Sequence, residues 1–343
     1  MASGPRSMDS AASCPPAYLT EIAECFGDAV HLACTWRASS RTVAVAAGFS
    51  PHEALGKAEA RAAAVAGLEM TEGRLSPAEA RELALADFVP KGRQVAGTGL
   101  HVTGIGLISR QPYRVPAEVV WLREADGTLV EPTLVGLVGD PRSGVAGSVA
   151  DVIAHDVIAR WWTAPHPPLT RVSGRLPELL PPGLATSLTA LGLLVSAFVV
   201  PGVPGLDFEI AIVGISGGGT TIATAAGPSV RAAVGEAFLR AVASRAQPWN
   251  TLPKADSLRR LTVWHRAADY LAHLERTARE ARPGHVGRAS AGGAGTWVDS
   301  AVRRFGHEPI LIESTGAPVK VVCPGAACYH PDPSGATLPC PVP

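Results

Sequence analysis

The sequence carries no excess of charge of either sign: its 343 residues include 30 Lys and Arg against 30 Asp and Glu. A binder of nucleic acid or of an anionic membrane surface usually shows a basic excess, so both partners are excluded as expectations. Long apolar runs are also missing. The longest, "LATSLTALGLLVSAFVV" at 184–200, is too short for a membrane span and holds four Ser/Thr and Gly192. It reads as a helix over 184–191, a stop at Gly192 and a buried strand over 193–200. The first residues, "MASGPRSMDSAASCPP", have no apolar stretch of the secretory kind, which makes the cytoplasm the expected compartment, with its thiols reduced. Nor is there a standard metal-ligand spacing. The six cysteines sit three near each end, and Cys323-x4-Cys328-x-His330 with Cys340 fits no zinc knuckle, so no metal site is expected there.

What is present is an alternation of helix and strand signals. Residues 1–18 are small and polar and are expected to be disordered. "TVAVAAG" (42–48) reads as a strand, and Ser50, Pro51 and Glu53 then supply an N-cap, an N1 proline and a capping-box carboxylate. The helix they open is predicted from Pro51 to about Ala66, with Leu55, Ala58, Ala62 and Val65 facing the core. "HVTGIGLI" (101–108) and "AEVVWLRE" (117–124) read as strands, and a second helix is predicted over Val145–Trp162. "LLVSAFVV" and "FEIAIVGI" are strands, and "GISGGGTT" is a glycine loop. It lacks the lysine of a phosphate-binding loop and the spacing of a dinucleotide fingerprint, so it reads as a tight turn. A third helix is predicted from about Pro228 to Arg245, an amphipathic one over 256–280 with Leu258, Leu261, Ala268, Leu271 and Leu274 on one side, and a last strand at "PVKVVC". With no long linker, the pattern predicts a single α+β domain of interleaved helices and mixed or antiparallel sheet over 19–325.

The last five residues, "PCPVP", alternate proline with other residues. Each proline fixes φ and pushes its predecessor toward extended geometry, so the segment reads as a polyproline II rod about 15 Å long. It is either a frayed end or an element positioned to deliver Val342 and Pro343 to a site. The whole of 326–343 reads as a proline-rich tail.

The helix starts and this ending resemble the YcaO family. "AAGFSPHEALGKAEARAAAV" is similar to the family's glycine, Ser/Thr-Pro and helix reading A-x-x-K-A-x-x-E-A-x-E-R. "DPRSGVAGSVADVIAHDVIARWW" is similar to the helix G-L-x-E-x-x-E-R-D-A with its tryptophan pair, and "PSVRAAVGEAFLRAVASR" to R-A-L-x-E-A-x-Q-x-R. "VKVVCPGA" and the terminal PCPVP resemble the V-P-G segment and the P-x-P-x-P ending. The resemblance implies an enzyme that uses ATP and Mg²⁺ to activate a peptide backbone amide, closing Cys, Ser or Thr into azoline rings or forming thioamides. It also implies a terminal rod with its tip, Val342 and Pro343, beside the active site.

The departures fall on the residues that would hold nucleotide and metal. Arg61, Ala64 and Val65 stand for two glutamates and an arginine in the first helix; Asp151, Ala154 and His155 stand for two glutamates and an arginine in the second, with Asp156 kept. In the third, Arg240 and Ala243 stand for glutamate and glutamine, with Arg245 kept. Sliding that helix by one turn would put Glu236 in the acidic slot, since positions four apart share a face. The candidate nucleotide-site residues are therefore Arg61, Asp151, Arg240, Arg245 and Glu236, in a degenerate form that is not a magnesium site. Taken singly, Arg61 and Arg240 can equally lie on solvated faces, Asp151 and Asp156 can be structural ion pairs, and His155, Trp161 and Trp162 can be packing residues.

Three functions stay open. One is an accessory subunit of ribosomal peptide maturation that has lost ATP–Mg²⁺ chemistry and works with a precursor peptide, an active YcaO protein or a leader-peptide-binding protein, as a homo- or heterodimer. The second is an active cyclodehydratase with a rebuilt ATP site. The third is a small-anion or nucleotide binder in which arginines line the old cavity.

Overall fold

The computed structural model of the chain describes residues 18–37, 43–70, 79–88, 99–120, 134–163, 167–203, 206, 208–246, 269–281, 296–327 and 340. Its described strands form three sheets. In the first, β1 (Tyr18–Cys25), β2 (Val30–Arg37) and β3 (Val43–Gly48) make an antiparallel meander. Ser50 then caps α1 (Pro51–Met70): its hydroxyl accepts the Glu53 N–H at 3.2 Å, while the Glu53 carboxylate accepts the N–H of Phe49 at 3.0 Å. The return bond is thus made one residue upstream of the cap. Alanine-rich composition carries α1 one turn past the predicted Ala66. Its buried stripe is Ala54, Ala58, Ala62, Val65 and Leu68, with Leu55 only half-buried.

A second sheet gathers β4 (Arg81–Glu82), β5 (His101–Gly106), β6 (Pro112–Pro116), β12 (Ile310–Ser314) and β13 (Ala317–Val322) in the order β13-β12-β5-β6-β4. The third gathers β7 (Thr170–Arg171), β8 (Leu194–Val199), β9 (Glu209–Ser216), β10 (Thr220–Gly227) and β11 (Arg279–Glu280) in the order β10-β9-β8-β7-β11. The β4–β6 and β11–β7 pairs are parallel and the remaining ladders are antiparallel. This is an α+β fold.

Between β7 and β8 lie two short helices, α3 (Leu176–Leu179) and α4 (Leu184–Ala190), and the chain turns at Gly192 in the left-handed region, φ 69°, as expected. The third sheet is covered on both faces. Ala211, Val213 and Ile215 share a core with Ala233, Ala237 and Phe238 of α5 (Val230–Ala246), while Ile210 and Ile212 share another with Ile153 and Val157 of α2 (Gly144–Thr163). Double-sided burial explains why "EIAIVGI" is apolar at nearly every position and does not alternate. Gly214 has no side chain because Leu271 of α6 (Tyr270–Thr277) fills that space.

Several predicted elements differ. "AEVVWLRE" is not a strand where it is described: Ala117–Val119 forms a 3₁₀ turn, because the pairing with β5 is already made by Pro112–Pro116. Thr220 and Thr221, read as the end of a glycine loop, open β10, whose remaining residues had no predicted element. The amphipathic helix is described only from Tyr270, with Leu271 and Leu274 buried as predicted; Leu258, Leu261 and Ala268 lie outside the described residues. It stops at Thr277, because Arg279 and Glu280 pair with β7. β1, β2, β12 and α7 (Trp297–Phe305) had no predicted counterpart. Residues 1–17, the expected disordered segment, lie outside the described residues.

One buried carboxylate joins the far end of α2 to the root of the tail. Asp156 is fully buried and accepts from Arg160 Nε at 2.8 Å, from Arg304 Nε of α7 at 2.6 Å and from the Ala327 N–H at 2.7 Å. Arg160 also donates to the Gly325 carbonyl at 2.8 Å. The structural reading of Asp156 as an ion pair is the one observed. Asp156→Asn leaves two guanidiniums without their counter-charge, and unfolding in urea is expected to show a loss of about 2–4 kcal/mol at an unchanged m-value. A loss under about 0.5 kcal/mol would show that the clamp is dispensable.

Candidate functional site

Where α1, α2 and α5 meet over β3 and β10 there is a cavity of about 200 Å³. Helical spacing decides what lines it. From α2 come Gly144, Gly147, Ser148, Asp151 and His155, all on one face; from α5 come Glu236, Arg240 and Ala243; from α1 come Lys57 and Arg61. The two glycines and Ala243 leave the space that larger side chains would fill.

The charged groups form an alternating chain across the three helices. Glu53 Oε1 meets Lys57 Nζ at 3.0 Å, and Lys57 Nζ donates to Glu236 Oε2 at 2.7 Å. Glu236 Oε1 accepts from Arg240 Nε at 3.1 Å, and Arg240 Nη1 donates to Asp151 Oδ1 and, at 3.4 Å, to the Thr224 carbonyl of β10. Asp151 Oδ2 accepts the Gly136 N–H at 2.9 Å. Four residues of this chain line the cavity, and Glu53 anchors it to the capped end of α1.

These pairings set the protonation states. Burial acts to lower Arg240, but the charges of Asp151 and Glu236 outweigh it and hold the guanidinium above its ordinary value. Burial acts to raise Asp151, and Arg240 together with the Gly136 N–H holds it below the usual carboxylate range instead. Arg61 is different: desolvation, with the neighbouring charge of Arg240, pulls it below its ordinary value. His155 is pushed down by burial against the opposing pull of Asp151 and Asp156, so its ring is neutral near pH 7.

Of the residues singled out in the sequence, Arg61, Asp151, Glu236 and Arg240 are brought together around this cavity. Glu236 and Arg240, the two residues offered for the acidic slot of the third helix, are one turn apart on one face and both line the cavity. Arg245 is elsewhere: it donates to the carbonyls of Gly217 and Gly219 in the β9–β10 turn, whose glycines have φ of 133°, 70° and 119°. That turn is the tight one expected, and Arg245 serves it. Ala64, Val65 and Ala154 are packed in hydrophobic cores away from the cavity. Trp161 is core and donates its indole N–H to the Pro167 carbonyl at 3.0 Å, while Trp162 is half-buried against Tyr270 and His273. Val342 and Pro343 lie outside the described residues, as do Cys14, Cys328 and His330; Cys340 is buried beside the core that holds Tyr270 and Cys323. Cys25 and Cys34 are half-buried free thiols. Sequence reading missed Lys57 as a wall residue, although its place one turn before Arg61 puts it on the same face.

The carboxylates do not fit a magnesium ion. Mg²⁺ needs carboxylate oxygens open to it. Here Arg240 and the Gly136 N–H take up Asp151, and Lys57 and Arg240 take up Glu236. Among the described residues there is no group of three or more His, Cys, Asp or Glu placed to hold a metal.

No family model matches the chain, and no curated protein sequence matches it. Solved structures do. YcaO from Methanopyrus kandleri bound with AMPPCP and Mg²⁺ is 19% identical with a TM-score of 0.62, over 90% of this chain and 85% of that one. The E. coli microcin synthetase McbBCD complex contains a chain 11% identical with a TM-score of 0.62, over 94% of this chain and 96% of that one. A heterocyclase in complex with substrate and cofactor gives 10% identity and a TM-score of 0.62, covering 87% of this chain, which spans 48% of that protein. The chain has the YcaO fold, as the sequence resemblance implied.

A double-mutant cycle with Asp151→Asn and Arg240→Gln is expected to give a coupling of about 1–2 kcal/mol, the partial exposure of both groups limiting it. Because the folded-state pKa of Asp151 is depressed, its contribution is complete above the ordinary aspartate value of about 3.9 and is lost as pH falls through the lower folded value. Stability curves of Asp151→Asn should therefore be flatter than wild type below about pH 4. Parallel curves would remove this pair from the acid limb.

Proposed function

We propose that the protein is a YcaO-fold component of ribosomal peptide maturation that keeps the scaffold without ATP–Mg²⁺ chemistry. It would act in the cytoplasm as an accessory subunit, holding a precursor peptide or pairing with a catalytically complete relative. The observation that carries this reading is the alternating chain from Glu53 to Asp151, in which Lys57 and Arg240 engage the carboxylates that a magnesium ion would have to recruit. The fold supports the peptide context, since two of the similar structures are a heterocyclase with its substrate and a microcin synthetase complex that also has a form with pro-MccB17 bound. No helix among the described residues is long and apolar enough to cross a membrane.

The second reading, an active cyclodehydratase, draws on the resemblance of "PCPVP" to the P-x-P-x-P motif of azoline-forming YcaO proteins. Against it stands the cost of opening the site: freeing Asp151 for a metal takes from Arg240 one of its two carboxylate partners, and freeing Glu236 takes one from both Arg240 and Lys57.

Calorimetric titration with ATP, with and without Mg²⁺, separates the two. The accessory reading expects no Mg²⁺-dependent binding and no ATP turnover above background with a Cys- and Ser-containing peptide, for the wild type and for Arg61→Glu/Arg240→Glu alike. Saturable binding that requires Mg²⁺, accompanied by turnover, would establish the enzyme and sink the accessory role.

A further inference from the structure

Two polar groups on the cavity wall are left without partners. The described residues give Arg61 no hydrogen bond and no ion pair, although it is partly buried and loses hydration there. His155 is 4% exposed, and its Nε2 is buried with no hydrogen-bond partner. Buried polar atoms are nearly always satisfied, so the buried Nε2 of His155, on the same wall as a half-buried guanidinium with no protein partner, asks what satisfies it.

The other charged groups of the wall do not. Lys57 is bonded to Glu53 and Glu236, and Arg240 to Glu236 and Asp151. Asp140, the remaining carboxylate of the lining, accepts the Arg142 N–H at 2.9 Å. The lining is thus balanced in formal charge, with Lys57, Arg61 and Arg240 against Asp140, Asp151 and Glu236. The imbalance is one of hydrogen bonds: the three carboxylates are engaged, and the donors of Arg61 are not. A cation entering the cavity would meet engaged carboxylates and two guanidiniums. An oxyanion would meet the planar fork of Arg61, which suits two oxygens at once, and the ring nitrogen of a neutral His155.

We infer that this cavity is a metal-independent site for a compact oxyanion, a phosphate or carboxylate group, held by Arg61 and His155. Its volume of about 200 Å³ supports a small group. Water needs about 30 Å³, and drug-sized ligands usually occupy ~300–1,000 Å³. The inference does not depend on the peptide-maturation reading, and it holds whether or not a partner protein exists. A neutral imidazole carries one N–H, and in the tautomer that places it on Nε2, His155 donates to an ionised oxygen without first taking up a proton.

The test uses the full chain in a chelator, titrated calorimetrically with inorganic phosphate and, separately, with acetate. Saturable binding of either is expected; which of the two binds identifies the group the site was built for. Arg61→Gln should weaken it by about tenfold or more and His155→Ala by several-fold, while Arg175→Gln, whose guanidinium pairs with Glu178 outside the cavity, leaves it unchanged. Arg61→Lys keeps the charge without the fork and should give an intermediate loss, which tests the site even where the glutamine variant folds poorly. Binding that appears only with Mg²⁺, binding equal in all variants, or no saturable binding of either anion by the folded wild type would overturn the inference.

Discussion

The arrangement of the three site helices depends on one interaction, the run of alternating charges Glu53, Lys57, Glu236, Arg240 and Asp151. Its members come from α1, α5 and α2, which are far apart in sequence and share no short connection. Hydrophobic contact alone would tolerate a helix sliding along its neighbour, because small residues such as Ala54, Ala58, Ala233 and Ala237 present nearly featureless surfaces. A chain of paired charges does not tolerate it. Sliding α5 by one turn would set Arg240 toward Lys57 and take Glu236 from it, leaving like charges face to face in a partly dehydrated space. The pairs therefore set register more than they add stability, which is the better-attested use of buried ionic groups.

The same constraint decides the chemistry available. A carboxylate that fixes two helices cannot be lent to a metal without releasing them. Asp151 is held from three sides, by Arg240, by the Gly136 N–H and by its own helix. Arg240 is held in turn by the Thr224 carbonyl of β10, a strand whose sheet is buried on both faces and cannot yield locally. The YcaO fold is thus present here with the central carboxylates of its cavity engaged by side-chain cations.

Much of this was legible in the sequence where local chemistry is strong. The Ser50 cap, the start of α2 and the span of α5 follow from capping residues and helical spacing, and α1 overran its predicted end because nothing in its alanine-rich last turn opposes helix. β10 was missed because "TTIATAAG" is small, polar in part and follows three glycines, so its strand character comes from pairing with β9. Pro116 misled in the opposite sense. It ends a strand, and "AEVV" beyond it carries β-favouring residues that no neighbouring strand pairs. In the site, Arg61, Asp151, Glu236 and Arg240 were found through the family resemblance and their shared faces. Arg245 was misplaced with them because its spacing fits the family pattern, while its real partners, carbonyls exposed by positive-φ glycines, are a tertiary fact. Lys57 went unread for the same reason, since a lysine followed at four residues by an arginine looks like an exposed helix face until Glu236 arrives from α5.

The unpaired groups complete the argument. A structure that pairs four charges of the cavity wall in sequence, and leaves the adjoining half-buried Arg61 without a protein partner and the buried Nε2 of His155 unsatisfied, carries a local deficit that packing has not removed. Leucine at either position would remove the polar groups at a modest change of volume, and stabilising changes of that kind are readily found. Residues that break a local rule without compensation inside the fold mark the places where a ligand supplies it. An anion that fills this cavity would bind the folded state alone, and would stabilise it by mass action through the two side chains that the protein itself leaves open.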